Sequence, residues 1–126
     1  MELYEAARTF LGTPFKHQGR YVHGVDCAGL VILSAKMIGQ EIIDVEGYHR
    51  MPDDKALKLA MDSQLTRVYR EPIENDIVLM AIGKNAQHIG IITPNGIIHA
   101  YEGAGKVVEH NFDARWSKRL RGVYTL

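Results

Sequence analysis

One cysteine and two histidines carry the chemistry that this sequence could perform. Cys27, the single thiol of the 126-residue chain, stands in "GVDCAGLV", and His88 and His99 stand in "HIGIIT" and "GIIHA". A thiol in the first turn of a helix lies beside unpaired backbone N–H groups and the positive end of the dipole, which favours the thiolate. An imidazole beside it would take the proton and deliver it to a leaving group, and a second polar residue would orient that imidazole. Cys27, His88 and His99 fit those three posts, with the backbone N–H of Cys27 as an oxyanion donor. Other readings stay open. In an apolar helix such as "CAGLVIL" the thiol also reads as a small core residue. Two histidines on adjacent strands also read as independent, one at the surface and one in the core. The trio could ligate zinc, although no paired cysteine spacing supports a metal site.

These residues need a helix and a sheet to hold them. In "ELYEAARTFLG", Leu3, Ala6, Ala7, Phe10 and Leu11 fall at helical spacing until Gly12 and Pro14 stop the helix. The loop "TPFKHQGRYVHGVD" reads as irregular backbone. It leads into a buried helix, "CAGLVILSAKMIG", with Asp26 as N-cap and Gly39 as C-terminal cap. A third helix is predicted from about Asp53. After Pro72 the pattern turns to short strands: "DIVLMAIG", "HIGIIT", "GIIHAYEG", "KVVEHNF" and "LRGVYTL". Helices followed by strands predict an α+β fold with an antiparallel sheet. The turn "TPNG" predicts a hairpin, with Pro94 fixing φ and Gly96 able to take positive φ. If its loop has an even number of residues, His88 and His99 share a face; pairing Thr93 with Gly96 makes His88 the diagonal neighbour of His99, at roughly 7–8 Å.

Composition narrows the function classes. Lys+Arg and Asp+Glu balance at 15 each, so no long-range field gathers nucleic acid or anionic lipid. A length of 126 residues fits a single domain spanning 1–126. The N-terminus lacks a basic-then-apolar leader, and no apolar run approaches a membrane span of roughly 18 residues. The expectation is a protein made in the cytoplasm, without membrane insertion. One cysteine permits no internal disulfide. His17, His23, His49 and His110 read as solvated imidazoles, Arg115, Lys118, Arg119 and Arg121 as a solvated face, and Trp116 as a cover for the core.

Over roughly residues 5 to 110, the order "GTPFKHQGRYVHGVDCAGLV", "NDIVLMAI", "HIGIITPNGIIHA" resembles the NlpC/P60 cysteine peptidases, whose catalytic core is a papain-like fold. The family's "DCSG" motif is matched by Asp26-Cys27-Ala28-Gly29, its "HVGIY" motif by His88-Ile89-Gly90-Ile91-Ile92, and its third catalytic position by His99. "FKHQGR" and "VVEHNFDARW" are similar to the phage and prophage cell-wall branch. The resemblance implies hydrolysis of an amide bond in peptidoglycan stem peptides, with Cys27 as nucleophile, His88 as base and acid, and His99 orienting His88. It implies no cofactor, and phage tail proteins as possible partners, with delivery to the wall from a particle or at lysis. Four places depart from the family pattern, one of them Ala28, a small-for-small replacement of the serine after the cysteine. Phe15 stands where a loop tyrosine often assists the oxyanion, leaving His17 or Gln18 as substitute donors; Gln18-Gly19 replaces a Gly-Gly pair; and Asn75 replaces a glycine, at a position where it tolerates the left-handed conformation. Two alternatives remain: a catalytically silent structural component of a tail, and a thiol acyltransferase or amidase acting on a non-wall substrate.

Overall fold

A computed structural model of the chain describes residues 1–44, 56–83 and 85–126. Helix α1 spans Leu3–Arg8 and ends earlier than its apolar spacing suggests. From Thr9 to Leu11 the backbone N–H groups reach back only three residues, to Ala6, Ala7 and Arg8, so the last turn tightens and Leu11 swings out to solvent. Helix α2 spans Cys27–Met37, and Gly39 beyond it adopts φ 82, the left-handed geometry that closes many helices. Helix α3 spans Ala56–Gln64. Its predicted start near Asp53 lies outside the described residues, as does His49.

The loop read as irregular contains a small hairpin. Strands β1 (Arg20–Tyr21) and β2 (Gly24–Val25) pair antiparallel just before α2. Pairing of so few residues leaves no sequence periodicity to detect.

Among the described residues, six further strands form one antiparallel sheet: β3 (Thr66–Val68), β4 (Ile77–Ile82), β5 (Asn85–Thr93), β6 (Gly96–Tyr101), β7 (Lys106–His110) and β8 (Leu120–Thr125), in spatial order β3-β8-β4-β5-β6-β7. The last strand returns to the interior of the sheet, between the edge strand β3 and β4. Both faces are covered. On one side Leu3, Ala7, Leu30, Val31 and Met61 of the three helices pack with Ile77, Leu79, Ile89, Ile91 and Ile98. On the other, Trp116 of the four-residue helix α4 (Ala114–Ser117) packs with Val78, Met80, Ile92, Ile97 and Val123. A strand buried on both faces needs no polar alternation, which is why β4 reads as the continuous run "IVLMAI".

The segment between α1 and β1 acts as a seam. Gly12 N–H donates to Val107 C=O at 3.0 Å, Val107 N–H donates to Thr13 C=O at 2.9 Å, and Pro14 bridges Lys106. These contacts run along β7, the outermost strand on that side of the sheet. Phe15 then bridges Val25 in β2. The seam thereby fastens the hairpin that leads into Cys27 to the edge of the sheet.

Candidate active site

Asp26 organises the head of α2. One carboxylate oxygen accepts from the Gly29 N–H at 2.8 Å and from Arg20 Nη1 at 2.8 Å, and the other accepts from the Gln18 N–H at 2.8 Å. A single side chain thus caps the helix and folds the preceding loop onto it. The approach is close: a Cβ at Gly29 would stand 2.2 Å from the Gly19 carbonyl oxygen, and one at Gly19 would stand 2.4 Å from that of Gly24. Gln18 takes φ 60, a conformation in which glycine is the easier occupant.

Cys27 opens α2 and is 8% exposed. Its sulfur meets the backbone N–H groups of Ala28 and of Ile89 on β5, the residue that follows His88. The helix head was expected to acidify this thiol, and the structure corrects that expectation. Burial, reinforced by the Asp26 carboxylate, pushes the thiol up to about 12, against the weaker opposing pull of the two N–H groups and Arg20. The resting side chain is therefore a neutral thiol.

The histidines form a relay. His88 Nε2 lies 2.6 Å from His99 Nδ1, His99 Nε2 lies 2.8 Å from His110 Nε2, and His110 Nδ1 lies 2.9 Å from the Asn111 carbonyl oxygen. The hairpin register explains the first contact: Thr93 pairs with Gly96 and Ile91 with Ile98, so a two-residue turn places both rings on one face. Among the described residues no hydrogen bond joins Cys27 to His88. The thiol stands instead at the β5 backbone one residue on. His99 is fully buried, stacked on Tyr101 with ring centres 5.3 Å apart and met edge-on by Trp116 at 4.9 Å. Burial, with a smaller push from the Arg119 guanidinium, lowers His88 to about 4; burial lowers His99 further, aided by the flanking imidazoles. Both rings are neutral at pH 7.

His110 is the functional candidate that the sequence reading missed. Read as a solvated imidazole, it is half-buried, bonded to His99 and packed against Trp116 at 5.2 Å. A usable signal existed, because the three histidines are spaced eleven residues apart and fall on three successive strands. Arg119 also departs from a purely solvated face, since its guanidinium stacks 4.7 Å from the Trp116 ring centre. Among the described residues no group of three His, Cys, Asp or Glu side chains is arranged to hold a metal ion, so the zinc arrangement of Cys27, His88 and His99 does not form.

Comparison with known proteins fits this layout. The family model of the NlpC/P60 family matches residues 12–125. The chain belongs to the NlpC/P60 family. It is 25% identical over 121 residues to the probable endopeptidase NlpC of Escherichia coli K12, covering 94% of this chain and 72% of that protein. The fold is shared with the NlpC/p60 domain of the peptidoglycan hydrolase SagA, at TM-score 0.70 and 18% identity over 98% of this chain and 96% of that one. It is also shared with an NlpC/P60 family protein from Bacillus cereus, at TM-score 0.72 and 21% identity over 97% of this chain and 38% of that one.

The departures from the NlpC/P60 pattern can now be placed. Phe15 is half-buried against the helix-side core, and its backbone N–H donates to the Gly105 carbonyl at 2.9 Å. Its ring brings no polar atom to the loop. The Gln18 backbone N–H donates to Asp26 at 2.8 Å, and the residue is exposed. His17 lies half-buried beside it. Asn75 adopts φ 74, and its side-chain oxygen accepts from the Tyr4 N–H at 3.1 Å, which ties α1 to the entry of β4.

Proposed function

We propose that this NlpC/P60 chain is a cysteine peptidase that hydrolyses an amide bond in peptidoglycan stem peptides. The observation that carries the reading is the direction of the histidine relay. A carbonyl oxygen only accepts, so a His110 ring carrying one proton donates its Nδ1–H to Asn111 and has Nε2 as an acceptor. His99 then donates Nε2–H to His110 and accepts at Nδ1 from His88 Nε2–H. The one nitrogen of His88 left to act as a base is Nδ1. The thiol proton passes to it as Cys27 Sγ bonds to the scissile carbonyl carbon, and the Cys27 N–H at the helix head receives the oxyanion. His88 returns that proton to the leaving amine. Water, deprotonated at the same nitrogen, then attacks the thioester, and the thiolate leaves and is reprotonated.

Because both partners rest neutral, the thiolate arises during attack rather than standing ready. Digestion of purified sacculi, read as released muropeptides by mass spectrometry, tests the reading. Wild type is expected to release peptides, and Cys27→Ala and His88→Ala are expected to release none; equal release by Cys27→Ala would sink it. The names of the related proteins, an endopeptidase and a peptidoglycan hydrolase, support the substrate class. The similarity of "FKHQGR" and "VVEHNFDARW" to phage and prophage peptidases supports delivery by a particle or at lysis.

One observation favours a second reading, a catalytically silent structural component of a phage tail. The thiol is buried and held neutral, and Phe15 supplies no hydroxyl. On that reading Cys27→Ala leaves both assembly and wall penetration intact.

A further inference from the structure

We propose that His110 is a positioning residue of the catalytic relay: by accepting the His99 Nε2–H it fixes the tautomer of His99 and so keeps His88 Nδ1 unprotonated. The inference rests on the peptidase reading for its consequence, while its geometric core stands separately.

A neutral imidazole has two tautomers of similar energy, and its hydrogen bonds decide which is present. With only His88 and His99, either direction of donation satisfies the contact between them. If His99 held its proton on Nδ1, it would donate to His88 Nε2. His88 would then carry its proton on Nδ1, and the base would be blocked. For a His110 ring carrying one proton, the Asn111 carbonyl removes that choice at the far end, and His110 carries the decision inward through two bonds of 2.8 and 2.6 Å. A buried His99 with no acceptor at Nε2 would also leave an N–H unsatisfied, a further pressure on the tautomer.

The surroundings of His110 hold it in register. It pairs with Ile97 across the β6–β7 ladder, and a Cβ on the neighbouring Gly96 would stand 2.1 Å from the His110 carbonyl oxygen. Glu109, the residue before it, is pinned by Arg8 through Nε at 3.0 Å and Nη2 at 2.8 Å and by the Thr93 hydroxyl at 2.7 Å. Trp116 lies against the ring at 5.2 Å, tilted by 42°. The backbone and the ring plane are thereby fixed from α1, β6 and α4.

Long-range 1H–15N correlation spectra of the 15N-labelled full chain at pH 7 read the tautomers directly. The expected pattern is a proton on Nδ1 of His110 and on Nε2 of both His99 and His88. In His110→Phe the ring shape remains while the acceptor is lost, so the Nε2–H tautomer of His88 is expected to give way to a mixture. Its kcat on a soluble stem peptide is expected to fall about 10–100-fold with KM changed less than about twofold, because the defect lies in the base and not in binding. His110→Gln, whose amide oxygen can accept the same bond, is expected to recover most of kcat. A wild-type His88 protonated at Nδ1, or a His110→Phe variant with unchanged tautomers and kcat, overturns the inference. Where His110→Phe proves unfolded by its melting curve, the wild-type tautomers and the glutamine variant decide. Wild-type protein that shows the expected tautomers but cleaves nothing refutes the peptidase reading and leaves the positional role standing.

Discussion

Cys27 shows two local influences of opposite sign, and burial settles the outcome. The helix head and the Ile89 N–H favour the thiolate, whereas desolvation and then the Asp26 carboxylate oppose it more strongly. Iodoacetamide at pH 7 is therefore expected to label Cys27 at least about tenfold more slowly in the native protein than in the urea-unfolded chain, whose thiol returns to a pKa of about 8.5. Asp26→Asn keeps a capping side chain while removing the negative charge beside the sulfur, and is expected to speed native labelling several-fold. Equal rates in native and unfolded chains would show that the thiol is not held neutral. Labelling was foreseeable from the helix position alone only in the wrong direction, because burial depends on what packs over the helix from distant parts of the chain.

At the scale of elements, the site depends on how closely α2 meets its preceding loop and on the register of two hairpins. Gly29 touches the Gly19 carbonyl so tightly that Gly29→Ala must push the loop and helix apart. The expected cost is about 1–3 kcal/mol in urea unfolding, with a loss of sacculus digestion larger than the unfolded fraction explains. Unchanged stability would mean that the loop yields without strain. Much of this level was legible. The alternation of "HIGIIT" and "GIIHA" around "TPNG" fixes the shared face of His88 and His99, and Asp26 before an apolar run marks the start of the helix. The β1–β2 hairpin was not, and the third histidine showed only as an eleven-residue spacing whose meaning the strand pairing supplies. The hairpin is too short to carry a period, and His110 enters the relay only through the β6–β7 pairing, which lies beyond the one turn whose type the sequence specifies.

For the whole molecule, the buried imidazoles link stability to pH. His88 and His99 are neutral in the folded chain and depressed below the ordinary histidine range, so the unfolded chain binds more protons between about pH 6.5 and pH 4. Stability from this source is fully present above pH 6.5 and is lost as pH falls through the folded value of His88 near 4. Urea midpoints measured from pH 7 to pH 4 are expected to drop, and His99→Gln, which removes one titrating ring, is expected to flatten the slope. An acid slope that His99→Gln leaves unchanged would place the titration elsewhere. The α+β architecture itself was readable from helices giving way to strands at Pro72. The insertion of β8 between β3 and β4 was not, because the sequence of "LRGVYTL" states that it is a strand and not which strands flank it.

The seam of residues 12–14 along β7 bears on how these molecules treat one another. With 15 basic and 15 acidic side chains and a pI near 7.0, the chain has little electrostatic repulsion to keep copies apart at neutral pH. An open strand edge would then invite edge-to-edge growth of the sheet across molecules. The seam occupies the Lys106–Val107 end of that edge from within, and the opposite edge, β3, offers only three residues. The short loop that fastens the approach to Cys27 thus also shortens the strand edge left for another copy to pair with.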